Sequence, residues 1–354
     1  MSSGNLAACA GSPAQAALPV TRLWFEAPFS VSLREEQLAA PAAGEATVRT
    51  LVSAISPGTE MLAWRGQLPT DQSLDARIGA LHQPAHYPFR YGYACVGEVS
   101  AIGDHAGEDA GDEVGAALLG RRVFAFEPHA GAFTAPASAL LPVPDALPSE
   151  HAALLPMAET AVSLVLDSAP LLGERVAVFG AGVVGLLALH LLARFPLAAL
   201  TAIDPVAERR ARALQAGATH ALHPEDCADL RDCDLVLELS GNPRALEQAL
   251  NCAGFDSRVL VGSWYGTQVA QLNLGGHFHR SRMRIISSQV STLSPALSGR
   301  WNRARRFDEA WRLLASPFLP TLITHRFPFA SAGDAYKTID QHADAALAVL
   351  LTYA

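Results

Sequence analysis

The stretch VAVFGAGVVGLLALHLL, residues 176–192, decides the fold. It carries G-x-G-x-x-G at Gly180, Gly182 and Gly185, between an apolar run and a run with helical spacing. After a strand, this motif permits a tight turn, close approach of the backbone to a pyrophosphate, and close packing of the following helix. We therefore predict a dinucleotide-binding unit at this point of the chain.

The residues that follow the motif specify which dinucleotide is expected. Val183 and Val184 open the helix, whose free N–H groups would hold the phosphates. About twenty residues later the run LAALTAID ends at Asp204. Its carboxylate would accept hydrogen bonds from the ribose hydroxyls and repel a 2′-phosphate, which predicts NAD. Arg209 is a further predicted cofactor contact. With Arg210 it keeps NADP as the alternative, because arginine can bind a 2′-phosphate.

Apolar strands and helical runs alternate from RVAVFG to MRIISSQ. This alternation predicts a doubly wound parallel sheet covered by helices on both faces. Ligands bind at the carboxyl ends of such strands. The turns ELSGNP and LVGSWYG end two of them, so we predict that Ser240, Gly241, Gly262 and Ser263 line the nicotinamide side.

The first half has a different pattern. EATVRTLVSAISPGTE alternates apolar and polar residues and then turns, and GEVSAIG and GRRVFAF add further strands, which predicts an all-β, barrel-like unit. The predicted fold class is α/β. The predicted divisions are a flexible tail over 1–18, a catalytic β-domain over 19–148, a nucleotide-binding domain over 149–292 and a return segment over 293–354.

Composition limits the function classes. A chain of 354 residues suggests two domains, and 50% hydrophobic with 17% charged residues favours a sizeable core. The formal net charge of −8 provides no basic surface for nucleic acid, so a small-molecule substrate is expected. No apolar run reaches membrane-spanning length. Five scattered cysteines favour a reducing cytoplasm over a disulfide framework.

Over about residues 20–354 the chain resembles the medium-chain dehydrogenase/reductase superfamily. The resemblance is carried by SPGTEMLAWRGQLP, RYGYACVGEVSAIG, GRRVFAF, VFGAGVVG and ISSQVS. Within it, GTEMLAWRGQLP resembles a zinc-less branch that includes the bacteriochlorophyllide dehydrogenases, which oxidise a hydroxyethyl group. The resemblance implies a GroES-like β-barrel catalytic domain beside a Rossmann domain. It also implies a homodimer paired through the edge of the nucleotide-domain sheet.

The resemblance also implies where a catalytic zinc would be bound. The first ligand position is Pro57, which has no ligand atom, and the second is Tyr93, followed by Ala94. The third falls in residues 155–157, Leu-Pro-Met. A catalytic zinc needs three protein ligands, and a phenol with a thioether would bind it too weakly. We therefore expect no zinc and no other metal.

Without a metal, side chains must handle the proton. Tyr93 is the first candidate, because a phenol can donate to a carbonyl; its alternative role is an aromatic wall. Glu60 and Glu159 are further candidates, because buried carboxylates can shuttle protons. Either carboxylate could instead cap a helix or pair with Arg90.

His279 is the last predicted catalytic residue. It flanks Phe278 with His277, and histidine suits a proton relay near neutral pH. A surface or domain-interface role is the alternative, as it is for His129 near the barrel rim. The remaining predictions are a substrate pocket formed by Ser56, Trp64 and Met157, and a contact of Thr160 with the nicotinamide ring.

The sequence favours a zinc-independent, NAD-dependent oxidoreductase that interconverts a secondary alcohol and a ketone on a specialised substrate. One alternative is an NADPH-dependent enone or quinone reductase, against which Asp204 argues. The other is a dinucleotide-binding protein without catalysis.

Overall fold

The structure is a computed structural model that describes residues 17–71, 73–75, 77–103 and 117–354. Most of the predicted tail, residues 1–16, therefore lies outside the described residues. The strands are β1 Leu18–Ala27, β2 Ser30–Leu38, β3 Glu45–Ile55, β4 Cys95–Ile102, β5 Arg122–Ala125, β6 Ala132–Pro136, β7 Leu141–Pro142, β8 Arg175–Phe179, β9 Ala199–Ile203, β10 His220–Leu222, β11 Cys233–Glu238, β12 Ala253–Val261, β13 Arg284–Ser287, β14 Ile323–Pro328 and β15 Ala348–Thr352. The α-helices are α1 Thr59–Trp64, α2 Ser149–Ala152, α3 Leu155–Ser168, α4 Val183–Leu192, α5 Ala207–Gln215, α6 Pro243–Cys252, α7 Arg303–Leu314 and α8 Ala332–Gln341.

The β-rich lobe is built around β3. Its sheet has the order β14-β15-β3-β4-β5-β7, with β6 also pairing with β3, and β1 and β2 form a separate hairpin. Val48, Val52 and Ile55 of β3 enter three different buried clusters, as expected for a central strand covered on both faces. The return segment contributes β15, in which Val349 lies opposite Ile55.

The second lobe is a parallel sheet in the order β10-β9-β8-β11-β12-β13. The alternation along β8 explains why both faces are covered. Val176 and Val178 join the core beneath α3, α4 and α7, whereas Ala177 and Phe179 join the core beneath α6. The chain leaves β8 toward β9 and β10, and later continues from β11 on the other side of β8. The topological switch point, where ligands bind in such sheets, is therefore between β8 and β11.

These two sheets confirm the predicted α/β class with a parallel nucleotide-binding-type sheet and a separate β-domain. The parallel sheet, from β8 to β13, lies within predicted residues 149–292, and α2 begins at Ser149. The domain boundaries themselves stay predictions. Among the described helices, none combines the length and the hydrophobicity that crossing a bilayer requires.

Candidate active site

The glycine turn lies at the switch point. Gly180 follows β8 with φ +94°, a left-handed conformation that favours glycine. A Cβ there would lie 2.6 Å from Ser240 Cα, so the turns after β8 and β11 pack against each other. A Cβ on Gly185 would lie 1.9 Å from the Gly180 carbonyl oxygen, so α4 can pack this closely only with glycine.

The start of α4 fits an anionic ligand. Gly182 is the N-cap residue, and no side chain caps the helix. The N–H groups at Val183 and Val184 therefore have no intrahelical partner and can bind phosphate oxygens. A Cβ built on Gly182 would meet no atom within 4 Å, so the space in front of it is open. These residues fit the pyrophosphate of a dinucleotide.

Asp204 follows β9 beside this turn. Its Oδ2 accepts from the Ala181 N–H at 2.8 Å, and its Oδ1 accepts from the Val206 N–H at 2.8 Å. Asp204 is 2% exposed, so the carboxylate is held rigidly against the glycine turn. An ionised carboxylate has about four acceptor sites, and two are left for ribose hydroxyls.

The two arginines after Asp204 point in different directions. Arg209 donates to the carbonyl oxygens of Ala343 and Ala346, the second at 3.1 Å, so its guanidinium is bound to the return segment. Arg210 donates instead to the carbonyl of Asp204 at 2.7 Å. The contact of Arg209 with the cofactor stays a prediction, and it is the next residue, Arg210, that lies against Asp204.

A buried carboxylate organises the predicted nicotinamide side. Glu238, the last residue of β11, is fully buried. It accepts from the Ser240 N–H at 2.8 Å and from the Ser240 hydroxyl, and from the Tyr265 hydroxyl at 2.5 Å. Ser263 Oγ accepts from the Gly241 N–H at 2.9 Å. Together these bonds tie the turn after β11 to the segment after β12.

The same segment touches the β-rich lobe. The Thr267 N–H donates to the Gln67 carbonyl at 3.0 Å, and a Cβ on Gly266 would lie 2.3 Å from that oxygen. Gly262, which precedes this segment, packs against the side chains of Leu164 and Leu239. The two lobes therefore meet at the end of the predicted nicotinamide side.

Helix α3 holds three of the predicted residues. Thr160 is partly buried and its hydroxyl donates to the Pro156 carbonyl at 2.7 Å. Met157 is 3% exposed and packs in the core, so it lines no open pocket. Glu159 is buried in an ion pair with Arg306 of α7. Burial raises the pKa of Glu159, whereas Arg306 lowers it. The structure thus differs from the predictions that Glu159 exchanges protons or pairs with Arg90.

Tyr93 is the predicted catalytic residue with the most suitable surroundings. It is partly buried, next to Tyr91, with ring centroids 6.2 Å apart. Burial raises the pKa of Tyr93 to about 12 and the charge of Glu60 adds to this rise, whereas the nearby side chains of Ser56 and Thr59 lower the pKa. The phenol is therefore protonated at neutral pH and can donate a hydrogen bond.

Glu60 lies behind this group and is fully buried. Its Oε1 accepts from the Ser56 N–H at 2.9 Å. Its Oε2 accepts from the Tyr336 hydroxyl at 2.6 Å and lies 2.9 Å from His129 Nε2. Glu60 therefore has protein partners on both oxygens, which leaves neither oxygen free for the proton exchange predicted from the sequence.

Two other predicted residues have surroundings that differ from their predicted roles. Trp64 is 3% exposed and stacks on Tyr336 with centroids 5.6 Å apart, so it lacks the open ring face of a pocket wall. His277 hydrogen-bonds to the Ala253 carbonyl at 2.9 Å, at the amino end of β12, and exposed His279 belongs to the same turn. The structure does not bring His279 to the carboxyl ends of the strands, where the cofactor turn lies.

The donor atoms near Tyr93 do not suit zinc. Pro57 offers no ligand atom, and both oxygens of Glu60 and both ring nitrogens of His129 have hydrogen-bonding partners in the protein. Within residues 17–71, 73–75, 77–103 and 117–354, no group of three or more His, Cys, Asp or Glu side chains could hold a metal ion.

Sequence reasoning missed several polar residues. Thr59 and Glu238 left a readable signal, since Thr59 directly precedes Glu60, and Glu238 ends an apolar run two residues before Ser240. Tyr336, Tyr353 and Arg306 left none, because their partners lie far away in the sequence.

Comparison with known proteins gives the class of this fold and site. Residues 183–316 match the model of a family described as Zinc-binding dehydrogenase. D-guloside 3-dehydrogenase of Escherichia coli K12 is 24% identical over 356 residues, which cover 94% of this chain and 99% of that protein. The 2-desacetyl-2-hydroxyethyl bacteriochlorophyllide A dehydrogenase of Cereibacter sphaeroides is 26% identical over 333 residues, covering 90% and 93%.

Among solved structures, an Escherichia coli CFT073 protein described as a short chain alcohol dehydrogenase, in complex with NADH, has a similar fold. Its TM-score is 0.74 at 20% identity, and the match covers 94% of this chain and 99% of that one. Together these likenesses support membership of the chain in the superfamily of medium-chain, zinc-binding-type dehydrogenases.

Proposed function

We propose that the protein is an oxidoreductase that uses NAD, without zinc, to interconvert a secondary alcohol and a ketone. The observation that carries the proposal is the half-buried Tyr93 hydroxyl, which is protonated at neutral pH and lies close enough to the side chains of Ser56 and Thr59 for them to act on its pKa. A protonated phenol can donate its hydrogen bond to a carbonyl oxygen. General acids of this kind contribute roughly 10²–10⁴-fold to the rate.

NAD, when bound, supplies the hydride chemistry. The chain's own residues then have three tasks. The glycine turn and the start of α4 bind the phosphates, and Asp204 orients the adenosine ribose. Tyr93 gives a proton to the ketone oxygen as the alcohol forms, and in the opposite direction the deprotonated form of Tyr93 accepts the proton of the alcohol.

The relatives support the substrate class. Their names describe dehydrogenases of a guloside and of a hydroxyethyl-bearing pigment. Both names are consistent with oxidation of a hydroxyl group on a larger molecule. We extend to this chain only the chemistry at the hydroxyl carbon. We do not extend either of the named substrates to it.

A second candidate, an NADPH-dependent enone or quinone reductase, is favoured by one observation. The Arg210 guanidinium lies against the Asp204 carbonyl, where it can reach a 2′-phosphate. Asp204 opposes this reading, because its carboxylate would repel that phosphate.

One experiment tests these proposals together. The purified protein is analysed for bound metal, titrated with NAD and NADP, and assayed on secondary alcohols and enones with and without a strong zinc chelator. We expect tighter binding of NAD, oxidation of an alcohol, and no effect of the chelator. Stoichiometric zinc with loss of turnover on chelation would refute the metal-free proposal. Binding without turnover of any substrate would indicate a non-catalytic protein.

We also propose a homodimer formed edge to edge through β13. In the described sheet β13 is the edge strand, and an unpaired edge is a template for another strand. Ile285 on this edge and nearby Trp264 are 37% and 43% exposed. Light scattering should give twice the chain mass, and Ile285→Lys should give monomers.

We propose a cytoplasmic location, supported by four free buried thiols at Cys95, Cys227, Cys233 and Cys252.

A further inference from the structure

His129 lies directly behind the segment that presents Tyr93. Its ring is fully buried. A Cβ on Gly92 would lie 2.5 Å from His129 Cδ2 and 2.7 Å from Nε2, and Gly92 has φ +106°. The imidazole therefore occupies the space that a side chain at residue 92 would need, one residue before Tyr93.

Both ring nitrogens of His129 are engaged. Nε2 lies 2.9 Å from Glu60 Oε2, and Nδ1 lies 2.7 Å from Ser53 Oγ. Ser53 Oγ in turn lies 2.8 Å from the Tyr353 hydroxyl. The Tyr336 hydroxyl donates to Glu60 Oε2 at 2.6 Å.

One arrangement of hydrogens satisfies this whole cluster. Neutral His129 donates from Nε2 to Glu60 and accepts at Nδ1 from Ser53, which accepts from Tyr353. Every hydrogen in the cluster then has an acceptor. Glu60 acts only as an acceptor in this arrangement, and it accepts from His129, Tyr336 and the Ser56 N–H.

The pair of His129 and Glu60 thus touches both segments that meet at the candidate site. Through the Ser56 N–H, Glu60 fixes the turn whose Ser56 and Thr59 side chains act on the pKa of Tyr93. The His129 ring packs directly against Gly92. Neither side chain is exposed to solvent, so neither can act on a substrate directly.

We propose that His129 is a positioning residue that acts through Glu60. It orients the Glu60 carboxylate, which in turn fixes the turn at Ser56 beside the Tyr93 hydroxyl and places a negative charge behind that hydroxyl. This inference rests on the proposed function of Tyr93 as the proton donor. It assigns a role to a histidine that has no access to the cleft.

The charge behind Tyr93 has a measurable consequence. The ionisable groups that act on Tyr93 are Glu60 and, more weakly, Asp75. Burial is the largest cause of the raised pKa of Tyr93, and the Glu60 charge is the next. Removing that charge should therefore lower the pKa of Tyr93.

The first test follows Tyr93 itself, without an activity assay. The chain has six tyrosines, so ring-carbon NMR of labelled tyrosine is tractable, and Tyr93→Phe assigns the signal. Glu60→Gln should lower the titration midpoint of Tyr93 by about 1–3 pH units. Glu174→Gln, in a buried pair with Arg258 at the amino end of β8, is the matched control and should leave the midpoint unchanged. An unchanged midpoint in Glu60→Gln would overturn the inference.

The second test uses conservative rescue, and it stands even where Glu60→Gln does not fold. His129→Leu removes the donor to Glu60 and should lower kcat about 100-fold, with a smaller change in KM. His129→Gln keeps an N–H donor and should recover at least about tenfold of that loss. Equal losses in the two variants, or losses no larger than in Glu174→Gln, would overturn the inference. If Tyr93→Phe keeps full turnover while the midpoint of Tyr93 still shifts in Glu60→Gln, the proposed function fails and the positioning of the hydroxyl stands.

Discussion

The glycine turn at Gly180 and the hydroxyl cluster at Tyr93 serve one predicted cleft, but they depend on different parts of the chain. The bond from the Ala181 N–H to Asp204 spans 23 residues, whereas the bond between Ser53 and Tyr353 spans 300. The Gly180 turn presents mainly backbone groups to the predicted cleft, whereas the Tyr93 cluster consists of side chains. A site made of local backbone leaves a pattern in the sequence, and a site made of distant side chains does not.

The largest expected effect concerns the Tyr93 side. Tyr93→Phe keeps the ring and removes the hydroxyl, so kcat should fall by roughly 10²–10⁴-fold. The Kd for NAD should stay unchanged, because the glycine turn is untouched. Steady-state kinetics and a cofactor titration measure both values. Weakened NAD binding in this variant would show that the two sides of the cleft are not independent.

The second prediction concerns the glycine turn and uses a matched pair. Gly185→Ala places a Cβ 1.9 Å from the Gly180 carbonyl oxygen, so it should lower the free energy of unfolding by about 3 kcal/mol. Gly182→Ala meets no protein atom within 4 Å and should keep the wild-type Tm. It should nevertheless weaken NAD binding about tenfold or more, because the methyl group occupies ligand space.

Thermal melts and calorimetric titrations distinguish the two variants. If Gly182→Ala binds NAD as well as the wild type does, the pyrophosphate does not lie at this turn.

The contrast between the two sides also explains which parts of the fold and the site could be predicted from the sequence. The motif at Gly180, Asp204 and the strand–helix alternation predicted the parallel sheet, because each is a local pattern with a fixed geometry. Arg209 and Arg210 could not be separated, because neighbouring helical positions point about 100° apart and only the packing shows which faces the turn.

Less of the Tyr93 side could be predicted from the sequence. The sequence marked Tyr93 and Glu60 individually, but their surroundings come from β3, α8 and β15 and from the segment around His129. Trp64 and Met157 were expected in the pocket, yet an apolar side chain beside a site packs in the core equally well. Tertiary packing decides whether such a side chain lies in a pocket or in the core, and the periodicity of the sequence does not contain this information.

The third prediction tests Asp204. Asp204→Ala should weaken NAD binding about tenfold to a hundredfold, since hydrogen bonds to a charged group contribute about 1.5–3 kcal/mol. NADP binding should change less, because the repulsion of its 2′-phosphate is relieved. Arg210→Ala is the counterpart and should weaken NADP more than NAD. Equal losses for both cofactors in Asp204→Ala would mean that this carboxylate supports the turn only.

The smallest expected effect concerns Glu127, two residues before His129. Burial raises the pKa of Glu127 to about 7, although Arg90 and Arg22 oppose the rise. Between about pH 4.5 and 7 the folded state therefore binds more protons than the unfolded state, so stability falls as the pH rises through this window.

Glu127→Gln should accordingly raise the free energy of unfolding by on the order of 1–2 kcal/mol at pH 8 and leave it unchanged near pH 4. Denaturant titrations at the two pH values measure this difference, with Glu98→Gln, at a partly exposed carboxylate, as the control. An equal gain at both values would mean that the effect is not electrostatic.

The hydrogen bond between Ser53 and Tyr353 also bears on the order of folding. Contacts between residues so far apart form late, since a long loop must close first. The glycine turn needs only neighbouring segments and can form before β15 docks on β3. During refolding, the ability to bind NAD should therefore return earlier than turnover, and the interval between them should report the docking of the last strand.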